Sequence, residues 1–210
     1  MNKHRPGDSD PAVLASGDGT EYDVIVLGGG AAGENVADRA VQGGLTAVLV
    51  EHELVGGECS YWACMPSKAL LRSAQALRAA RDVPGAAQAV TGTLDVHAVL
   101  ARRDSFTHNW SDESQVQWMD GAGISLARGH GRITGSREVT LTAADGSTSV
   151  LTARQAVVVA TGSDPLVPHI DGLRGLRHDG HRDLGAPDRS ANAVLSEVDV
   201  HDGLDQGPAR

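Results

Sequence analysis

Two short apolar runs separated by an amphipathic segment open the patterned part of the chain. The β-branched run YDVIVLG, residues 22–28, is typical of a strand buried on both faces, and TAVLVE, residues 46–51, is a second run of this kind. Between them, AAGENVADRAVQGG, residues 31–44, has the pattern of a helix that ends at a glycine pair. A strand, a helix and a strand within about 30 residues predict a βαβ unit with a parallel strand pair.

Helical spacing dominates the next part of the chain. The segment SKALLRSAQALRAAR, residues 67–81, is apolar at helical intervals, and DVHAVLARRDSFTHNW, residues 95–110, is a second candidate helix. One stripe of this second helix carries Val96, Val99, Leu100, Arg103 and Phe106. A third, shorter helix is predicted around Val116, Trp118 and Met119. The middle of the chain is therefore expected to be helical.

Beyond residue 130 the hydrophobic period changes to two, which indicates strands. The segments GRITGSREVTLT, residues 131–142, and SVLTARQAVVVATG, residues 149–162, flank ADGS at residues 144–147. The dipeptide Asp145-Gly146 within ADGS is a strong hairpin-turn signal. This part of the chain therefore predicts an antiparallel β-hairpin.

Both ends of the chain differ from this patterned middle. Residues 1–20 are polar and rich in Gly, Asp and Pro, and residues 173–210 are rich in Gly, Asp, Arg and His. Such segments cannot bury enough apolar area to offset the entropy cost of ordering them. We therefore expect two flexible or disordered tails around one folded domain, residues 21–172.

The composition of the chain argues against two classes of binding partner, nucleic acids and membranes. The 210 residues are 40% apolar and include 26 Gly, as in a turn-rich α/β protein, and the formal net charge of -9 argues against nucleic-acid binding. No apolar run approaches the roughly 18 residues that a membrane helix needs, and the polar N-terminus has no signal-peptide core. We therefore expect a cytoplasmic protein without nucleic-acid or membrane partners.

The sequence GGGAAG, residues 28–33, fits the pattern G-x-G-x-x-G between the first predicted strand and helix. In this pattern Gly28 permits a tight turn, Gly30 lets the backbone approach a pyrophosphate, and Gly33 lets helix and strand pack closely. Glu51 ends the next strand, 18 residues after Gly33, where its carboxylate can accept hydrogen bonds from ribose hydroxyls. The pattern predicts a dinucleotide site, without distinguishing FAD from NAD, and a glycine turn with no ligand is the alternative.

The only two cysteines, Cys59 and Cys64, lie five positions apart, which allows a metal site, a disulfide, a redox couple or two buried thiols. A structural zinc site needs four ligands, and the sequence offers no second pair at regular spacing, so we expect no metal. In an ideal α-helix such Cα atoms are ~8.6 Å apart, beyond the ~7 Å limit for a disulfide. A disulfide therefore requires Cys59 to precede the helix or the first turns to be distorted, and Pro66 favours distortion.

These motifs together resemble those of a known enzyme family. GGECSYWACMPSK, residues 56–68, is similar to the redox motif of the pyridine nucleotide-disulfide oxidoreductases, the flavoproteins that include dihydrolipoamide dehydrogenase, glutathione reductase and mercuric reductase. The likeness extends from Tyr22 to about Gly172 and includes GHGRITG, residues 129–135, and VVVATGSDPLVP, residues 157–168. The resemblance implies a Rossmann-type α/β FAD domain with an inserted antiparallel β-hairpin.

The resemblance also implies roles for individual residues. Cys59 would exchange with the substrate, a small molecule or a disulfide, and Cys64 would stack against the flavin as the charge-transfer thiolate. Lys68 would lie near the reactive flavin nitrogen, and Thr161 and Gly162 would lie beside the cofactor phosphates. The full set of expected FAD contacts is Gly28, Gly30, Ala31, Ala32, Gly33, Glu51, Gly57, Lys68, Gly131, Thr161 and Gly162.

The chain also departs from the family pattern. Before the second cysteine it has Tyr61, Trp62 and Ala63, where the family usually has Asn, a small residue and Gly. The sequence has no second G-x-G-x-x-G for NAD(P)H, the family's electron donor, and no C-terminal His-Glu general base. It also lacks the dimerisation domain through which family members form homodimers. We therefore expect an incomplete FAD domain from a truncated or frame-shifted gene product.

Three hypotheses for the function follow from these observations. The first is an FAD-dependent disulfide oxidoreductase that uses NAD(P)H and a Cys59/Cys64 disulfide. The second is a non-catalytic module that binds FAD or another dinucleotide. The third is a gene fragment without an activity of its own.

Overall fold

The computed structural model describes residues 20–163. The tails predicted at residues 1–20 and 173–210 lie outside this range, apart from Thr20. The last part of the predicted domain, residues 164–172, lies outside it as well. No helix within the described range is both long enough and apolar enough to cross a bilayer.

The described residues divide into two units, a larger one formed by residues 20–59 and 110–163 and a smaller one formed by residues 60–109. The strands are β1 (Glu21–Leu27), β2 (Ala47–Glu51), β3 (Ser125–Arg128), β4 (His130–Gly135), β5 (Glu138–Thr142) and β6 (Thr148–Val159). The helices are α1 (Ala31–Gln42), α2 (Gly57–Tyr61), α3 (Cys64–Arg81), α4 (Val96–Phe106) and α5 (Glu113–Ala122). Short 3-10 helices lie at Ala87–Ala89 and His108–Trp110.

All six strands of the described range form one sheet in the larger unit, in the order β3-β2-β1-β6-β5-β4. β1 pairs in parallel with both β2 and β6, and β2 pairs in parallel with β3. The pairs β4–β5 and β5–β6 are antiparallel. The predicted βαβ unit is therefore confirmed, and the fold is mixed α/β.

The central strands are buried on both faces, as their continuous apolar runs predict. On one face, Ile25 and Val48 pack in a core that includes Val139 and other side chains of β5 and β6. On the other face, Val26 and Leu49 pack with side chains of α1 and α5. Full burial of one such side chain stabilises the fold by about 1.5–3 kcal/mol, so the two cores together fix the strand register.

The glycine pair after α1 ends that helix as predicted. Gly44 adopts a left-handed conformation with φ of 82°, and its N–H donates to the carbonyl of Val41 over 2.9 Å. The N–H of Leu45 donates to the carbonyl of Ala40 over 3.0 Å. These two bonds form a Schellman motif, which satisfies the last carbonyls of the helix.

The antiparallel part confirms the predicted hairpin and extends it. β5 and β6 pair around Asp145-Gly146, where the Asp145 carboxylate accepts the N–H of Ser147 over 2.8 Å. The run at residues 131–142 is two strands rather than one, because a tight turn with Arg137 at φ of 60° separates β4 from β5. The inserted element is therefore a three-stranded meander that ends in β6.

The third predicted helix is present as α5, with Met119 buried and Trp118 exposed. It ends at Gly123, which adopts a left-handed conformation with φ of 77°. The strand that follows, β3, has only four residues, which is too short for an alternating pattern to be evident in the sequence. The sequence therefore did not predict β3.

In the smaller unit, α3 packs against α4. α4 ends at Phe106, four residues before the predicted end of that segment. Arg103 is buried, as the predicted stripe requires, and its Nε donates to the Asp104 carboxylate over 2.8 Å. Phe106 is 38% exposed, with the guanidinium carbon of Arg102 4.4 Å from its ring centroid. Phe106 therefore makes a cation–π contact at the surface rather than a core contact.

Asp23, near the start of β1, links this strand to the middle of β6 and to Thr46, the residue that precedes β2. One of its carboxylate oxygens accepts Nε of Arg154 on β6 over 2.8 Å. The other oxygen accepts both the backbone N–H and the hydroxyl of Thr46, each over 2.8 Å. The hydrogen bond from Arg154, followed by those from Thr46, holds the pKa of Asp23 well below its usual range. No sequence motif pointed to this network.

The low pKa of Asp23 predicts an acid-sensitive contribution to stability. The contribution is present above the unfolded-state pKa, near 3.8, and is lost as the pH falls toward the lower folded-state pKa. Asp23→Asn should therefore reduce the free energy of unfolding near neutral pH, and its difference from wild type should shrink below about pH 4. Urea unfolding at several pH values measures this. Asp120→Asn, which removes an exposed carboxylate on α5, is the charge control, and an Asp23→Asn difference independent of pH would contradict the prediction.

Candidate functional site

Two glycines near the turn from β1 into α1, Gly28 in the loop and Gly33 in the first turn of the helix, could not be replaced by another residue without rearrangement. Gly28 has φ of 102°, and a Cβ there would lie 2.3 Å from the carbonyl oxygen of Ala160. A Cβ on Gly33 would lie 1.9 Å from the carbonyl oxygen of Gly28. Because real Cβ contacts are never this short, both positions let the backbone segments approach closely. The motif assigns close packing of helix and strand to Gly33 and a tight turn to Gly28, and the positive φ of Gly28 fits such a turn.

Gly30 differs from these two, because a Cβ there would meet no atom within 4 Å. It is the N-cap residue of α1, with φ of -78° and ψ of -179°, and no side chain caps this helix end by a hydrogen bond. The next two residues, Ala31 and Ala32, are exposed. The Cβ position of Gly30 therefore has open space around it at the positive end of the helix dipole, an arrangement that suits phosphate groups.

Glu51 lies at the end of β2 beside this loop and is 8% exposed. Its Oε2 accepts the N–H of Gly29 over 2.6 Å, and its Oε1 accepts the N–H of Glu53 over 2.7 Å. These bonds fix the carboxylate in place. Each oxygen keeps a further lone pair, so Glu51 can still accept hydrogen bonds from ribose hydroxyls.

The glycine pair ahead of Cys59 packs directly on the loop. Gly56 donates its N–H to the carbonyl of Gly29 over 2.8 Å and forms a parallel bridge with Gly30. Gly57 has φ of 59°, and a Cβ there would lie 2.7 Å from Cα of Gly30. The start of the cysteine motif is therefore built against the glycine loop, although the sequence separates them by more than 20 residues.

Thr161 and Gly162 follow β6 and are both exposed. Cα of Thr161 lies 3.1 Å from where a Cβ on Gly28 would be, so this segment lies beside the glycine loop. Gly162 adopts φ of 71°. The structure thus brings Thr161 together with the glycine loop, and contact of Thr161 and Gly162 with the cofactor phosphates stays a prediction.

Gly131 lies on β4, and the structure gives it a packing role. A Cβ there would lie 2.8 Å from Cδ2 of Leu27 and 2.9 Å from Cγ1 of Val50. Its neighbour His130 contacts the ring of His52, with ring centroids 4.2 Å apart. A cofactor contact by Gly131 stays a prediction.

The two cysteines lie on different helices. Cys59 is exposed on α2, whereas Cys64 is half-buried and begins α3, and both are thiols. The chain breaks between the helices at Ala63, with φ of -120° and ψ of -89°. A disulfide between these residues requires either that Cys59 precede the helix of Cys64 or that the first turns of one continuous helix be distorted. The structure has the first arrangement, because Cys59 lies before α3. The helix predicted to begin at Ser67 therefore begins three residues earlier.

Pro66 explains where α3 begins. It is the third residue of the helix and is buried. In the first turn the missing N–H of a proline has no helical carbonyl to bind, so Pro66 is tolerated there and would not be tolerated in a continuous helix through Cys59. Lys68, one turn after Cys64, is exposed.

The bulky residues between the cysteines are interior residues. Tyr61 is 1% exposed and Trp62 is 9% exposed. Their rings meet edge to face, with centroids 5.7 Å apart. The departure from the family pattern at these positions therefore adds buried aromatic area rather than an aromatic surface.

Cation ligands do not cluster in the described part of the chain. Within residues 20–163, no group of three or more His, Cys, Asp or Glu side chains is arranged to hold a metal ion. Most of the residues predicted to contact a dinucleotide, in contrast, lie at the carboxyl ends of β1, β2 and β6. Ligands of α/β sheets bind at this edge.

Comparison with known proteins agrees with the geometry. Residues 22–197 match the family model of the pyridine nucleotide-disulphide oxidoreductases. A dihydrolipoyl dehydrogenase of Bacillus subtilis is 34% identical over 169 residues, which cover 77% of this chain and 34% of the relative. A mercuric reductase of Acidithiobacillus ferrooxidans is 32% identical over 163 residues, which cover 76% of this chain and 30% of the relative.

A solved structure has the same fold. The HOCl-induced flavoprotein disulfide reductase RclA of Escherichia coli, solved as a Cu(II) complex, matches with a TM-score of 0.59 and 19% identity. The match covers 72% of this chain and 31% of that one. The chain thus spans about a third of the length of the relatives that it matches. Its family-model match covers most of its own sequence, and the chain therefore belongs to the pyridine nucleotide-disulphide oxidoreductase family.

Proposed function

We propose that this chain is the FAD-binding part of a flavin-dependent disulfide oxidoreductase, in which electrons pass from NAD(P)H to a Cys59/Cys64 disulfide. The observation that carries the proposal is the site formed by the glycine loop, the uncapped N-terminus of α1 and the fixed carboxylate of Glu51. FAD, when bound, supplies two-electron redox chemistry between a nicotinamide and a disulfide. The family assignment and the flavoprotein of the same fold support FAD as the cofactor.

Different residues around the glycine loop bind different parts of FAD. Backbone N–H groups at Gly30, Ala31 and Ala32 hold the pyrophosphate, because the helix dipole favours negative charge there. Glu51 accepts from the adenosine ribose, and Thr161 and Gly162 lie beside the phosphates. Gly28 and Gly33 serve the site through their lack of a side chain, which allows the close packing of backbone segments on which the site depends.

The cysteine pair exchanges with the substrate. The exposed Cys59 thiolate attacks one sulfur of a disulfide substrate, which breaks the substrate S–S bond and expels one half as a thiolate that takes a proton from water. The Cys64 thiolate then attacks the Cys59 sulfur of this mixed disulfide, which releases the second thiol and leaves a Cys59–Cys64 disulfide. Two electrons from NAD(P)H regenerate the dithiol. Lys68 is assigned to the flavin side of this pair by the family resemblance.

The substrate class is a disulfide or a small molecule that reacts with a dithiol. Relatives named as dihydrolipoyl dehydrogenases and mercuric reductases support this class. The complete enzyme is proposed to be a homodimer, on the basis of the family alone. Its location in the cytoplasm is likewise a proposal.

A second candidate is a module that binds FAD without turnover. The sequence contains a single G-x-G-x-x-G, and this observation favours the second candidate for the 210-residue chain by itself. Hydride transfer requires the nicotinamide to be held against the flavin, and such positioning contributes roughly 7–11 kcal/mol of barrier reduction. Reduction of the Cys59/Cys64 disulfide by NADPH in the FAD-loaded chain separates the two candidates.

Gly30→Val tests the cofactor site. The new side chain should occupy the space proposed for the pyrophosphate and weaken FAD binding by at least about 100-fold, or about 2.7 kcal/mol. The fold should tolerate it, because the backbone at Gly30 is extended and a Cβ meets no protein atom within 4 Å. Quenching of flavin fluorescence measures the affinity, and thermal unfolding checks the fold.

Gly92→Val is the matched control for Gly30→Val. A Cβ at Gly92 also meets no atom within 4 Å, and Gly92 is not among the predicted FAD contacts. The control should bind FAD like wild type. A folded Gly30→Val protein that also binds FAD like wild type would contradict the proposed site.

Differential thiol reactivity tests the roles of the cysteines. Because Cys59 is exposed and Cys64 is half-buried, iodoacetamide should modify Cys59 first in the reduced protein. Mild oxidation should remove both thiols, dithiothreitol should restore them, and either Cys59→Ser or Cys64→Ser should prevent this reversible loss. Peptide mass spectrometry identifies the modified residue and the disulfide. Faster modification of Cys64, or oxidation without an intramolecular disulfide, would contradict the assignment.

A further inference from the structure

Two side chains that no sequence motif singles out anchor the loop between β2 and α2. Arg128 is the last residue of β3 and lies opposite Glu51 in the parallel strand pair. Its Nη1 donates to the carbonyl of Glu53 over 2.6 Å, and its Nη2 forms an ion pair with the Asp112 carboxylate. The same carboxylate accepts the N–H of Val55 over 2.8 Å. The Asp112–Arg128 pair therefore binds this loop at two points.

Asp112 makes these contacts instead of the helix-capping hydrogen bond that its position at the start of α5 would favour. It is the N-cap residue of α5, where an Asp side chain ordinarily accepts a backbone N–H of the first helical turn. Its carboxylate makes no such capping bond and binds Arg128 and Val55 instead. The side chains of Asp112 and Arg128 are only 14% and 13% exposed, so removal of either leaves the other charge poorly solvated.

The anchored loop in turn holds the candidate cofactor site. The backbone carbonyl of Glu53 accepts Nη1 of Arg128, and the backbone N–H of Glu53 donates to Oε1 of Glu51. Farther along the loop, the N–H of Gly56 donates to the carbonyl of Gly29. The orientation of the Glu51 carboxylate and the position of the glycine loop thus both depend on a segment that Asp112 and Arg128 fix.

We propose that Asp112 and Arg128 are positioning residues of the cofactor site, which hold the Glu51 carboxylate in the orientation that accepts the adenosine ribose hydroxyls. This inference rests on the proposed function. The pair acts through the backbone of residues 53–56 and makes no contact with the cofactor itself. Its loss should therefore weaken one specific part of cofactor recognition, the discrimination that Glu51 provides at the ribose.

ADP and 2′-deoxy-ADP are probes for this discrimination, because they differ only in one ribose hydroxyl. Calorimetric titration of the full chain should show wild type binding ADP about tenfold more tightly, as expected for a hydrogen bond to a charged acceptor. In Asp112→Ala and in Arg128→Met the ratio should fall to about threefold or less. The double variant should have the same ratio as either single variant, because the two side chains act as one unit.

Matched controls remove the same side-chain types elsewhere in the larger unit. The controls are Asp120→Ala and Arg132→Met. Asp120 lies at the other end of α5, Arg132 lies on β4, and both side chains are exposed. These variants should keep the wild-type ratio. A loss of global stability alone lowers the fraction of competent protein, and it lowers apparent affinity for both probes equally, so the ratio separates positioning from a general structural role.

Asp112→Asn and Arg128→Lys serve as milder variants in case the truncations do not fold. Asn keeps an oxygen that can accept from Val55, and Lys can reach only one of the two acceptors at a time. Both should show an intermediate ratio. Folded Asp112 or Arg128 variants that retain the wild-type ratio would overturn the inference and leave the proposed function standing. Wild-type protein that binds neither ADP nor FAD would overturn the proposed function itself.

Discussion

The close approach of backbone segments at Gly28 and Gly33 is the constraint on which the rest of the site depends. The carbonyl oxygens of Ala160 and Gly28 lie where a Cβ on Gly28 and Gly33, respectively, would have to be. Without side chains at these two positions, β1, the first turn of α1 and the end of β6 can meet at one edge of the sheet. This proximity leaves Gly30 facing open space at the N-terminus of α1.

In the larger unit, the residues that stabilise the fold and the residues of the candidate site occupy different parts of the strands. Apolar side chains on both faces of β1 and β2 form the two cores, and the Asp23 network links the start of β1 to β6 and to the residue before β2. The opposite end carries Glu51, the glycine loop and the anchored loop before α2. Its polar groups are largely engaged with backbone N–H and C=O groups, so the site is pre-organised by the chain itself.

The sequence predicted the features that local pattern determines. Buried runs predicted β1 and β2, glycines predicted the turn between β1 and α1 and the end of α1, and Asp145-Gly146 predicted the hairpin. It did not predict β3, which is too short to show a period, and it left open whether Cys59 precedes the helix or the first turns are distorted, where the structure has a break at Ala63. The Asp112–Arg128 pair joins residues 16 positions apart to a loop more than 50 positions earlier, so no local pattern could reveal it.

The central claim is that the chain holds a dinucleotide flavin through its adenosine diphosphate half. Parallel titrations of the full chain with FAD and with FMN, which lacks that half, test this claim most directly. The account predicts one FAD per chain and FMN binding weaker by at least about 100-fold. Equal affinity for FAD and FMN, or no binding of FAD, would contradict it.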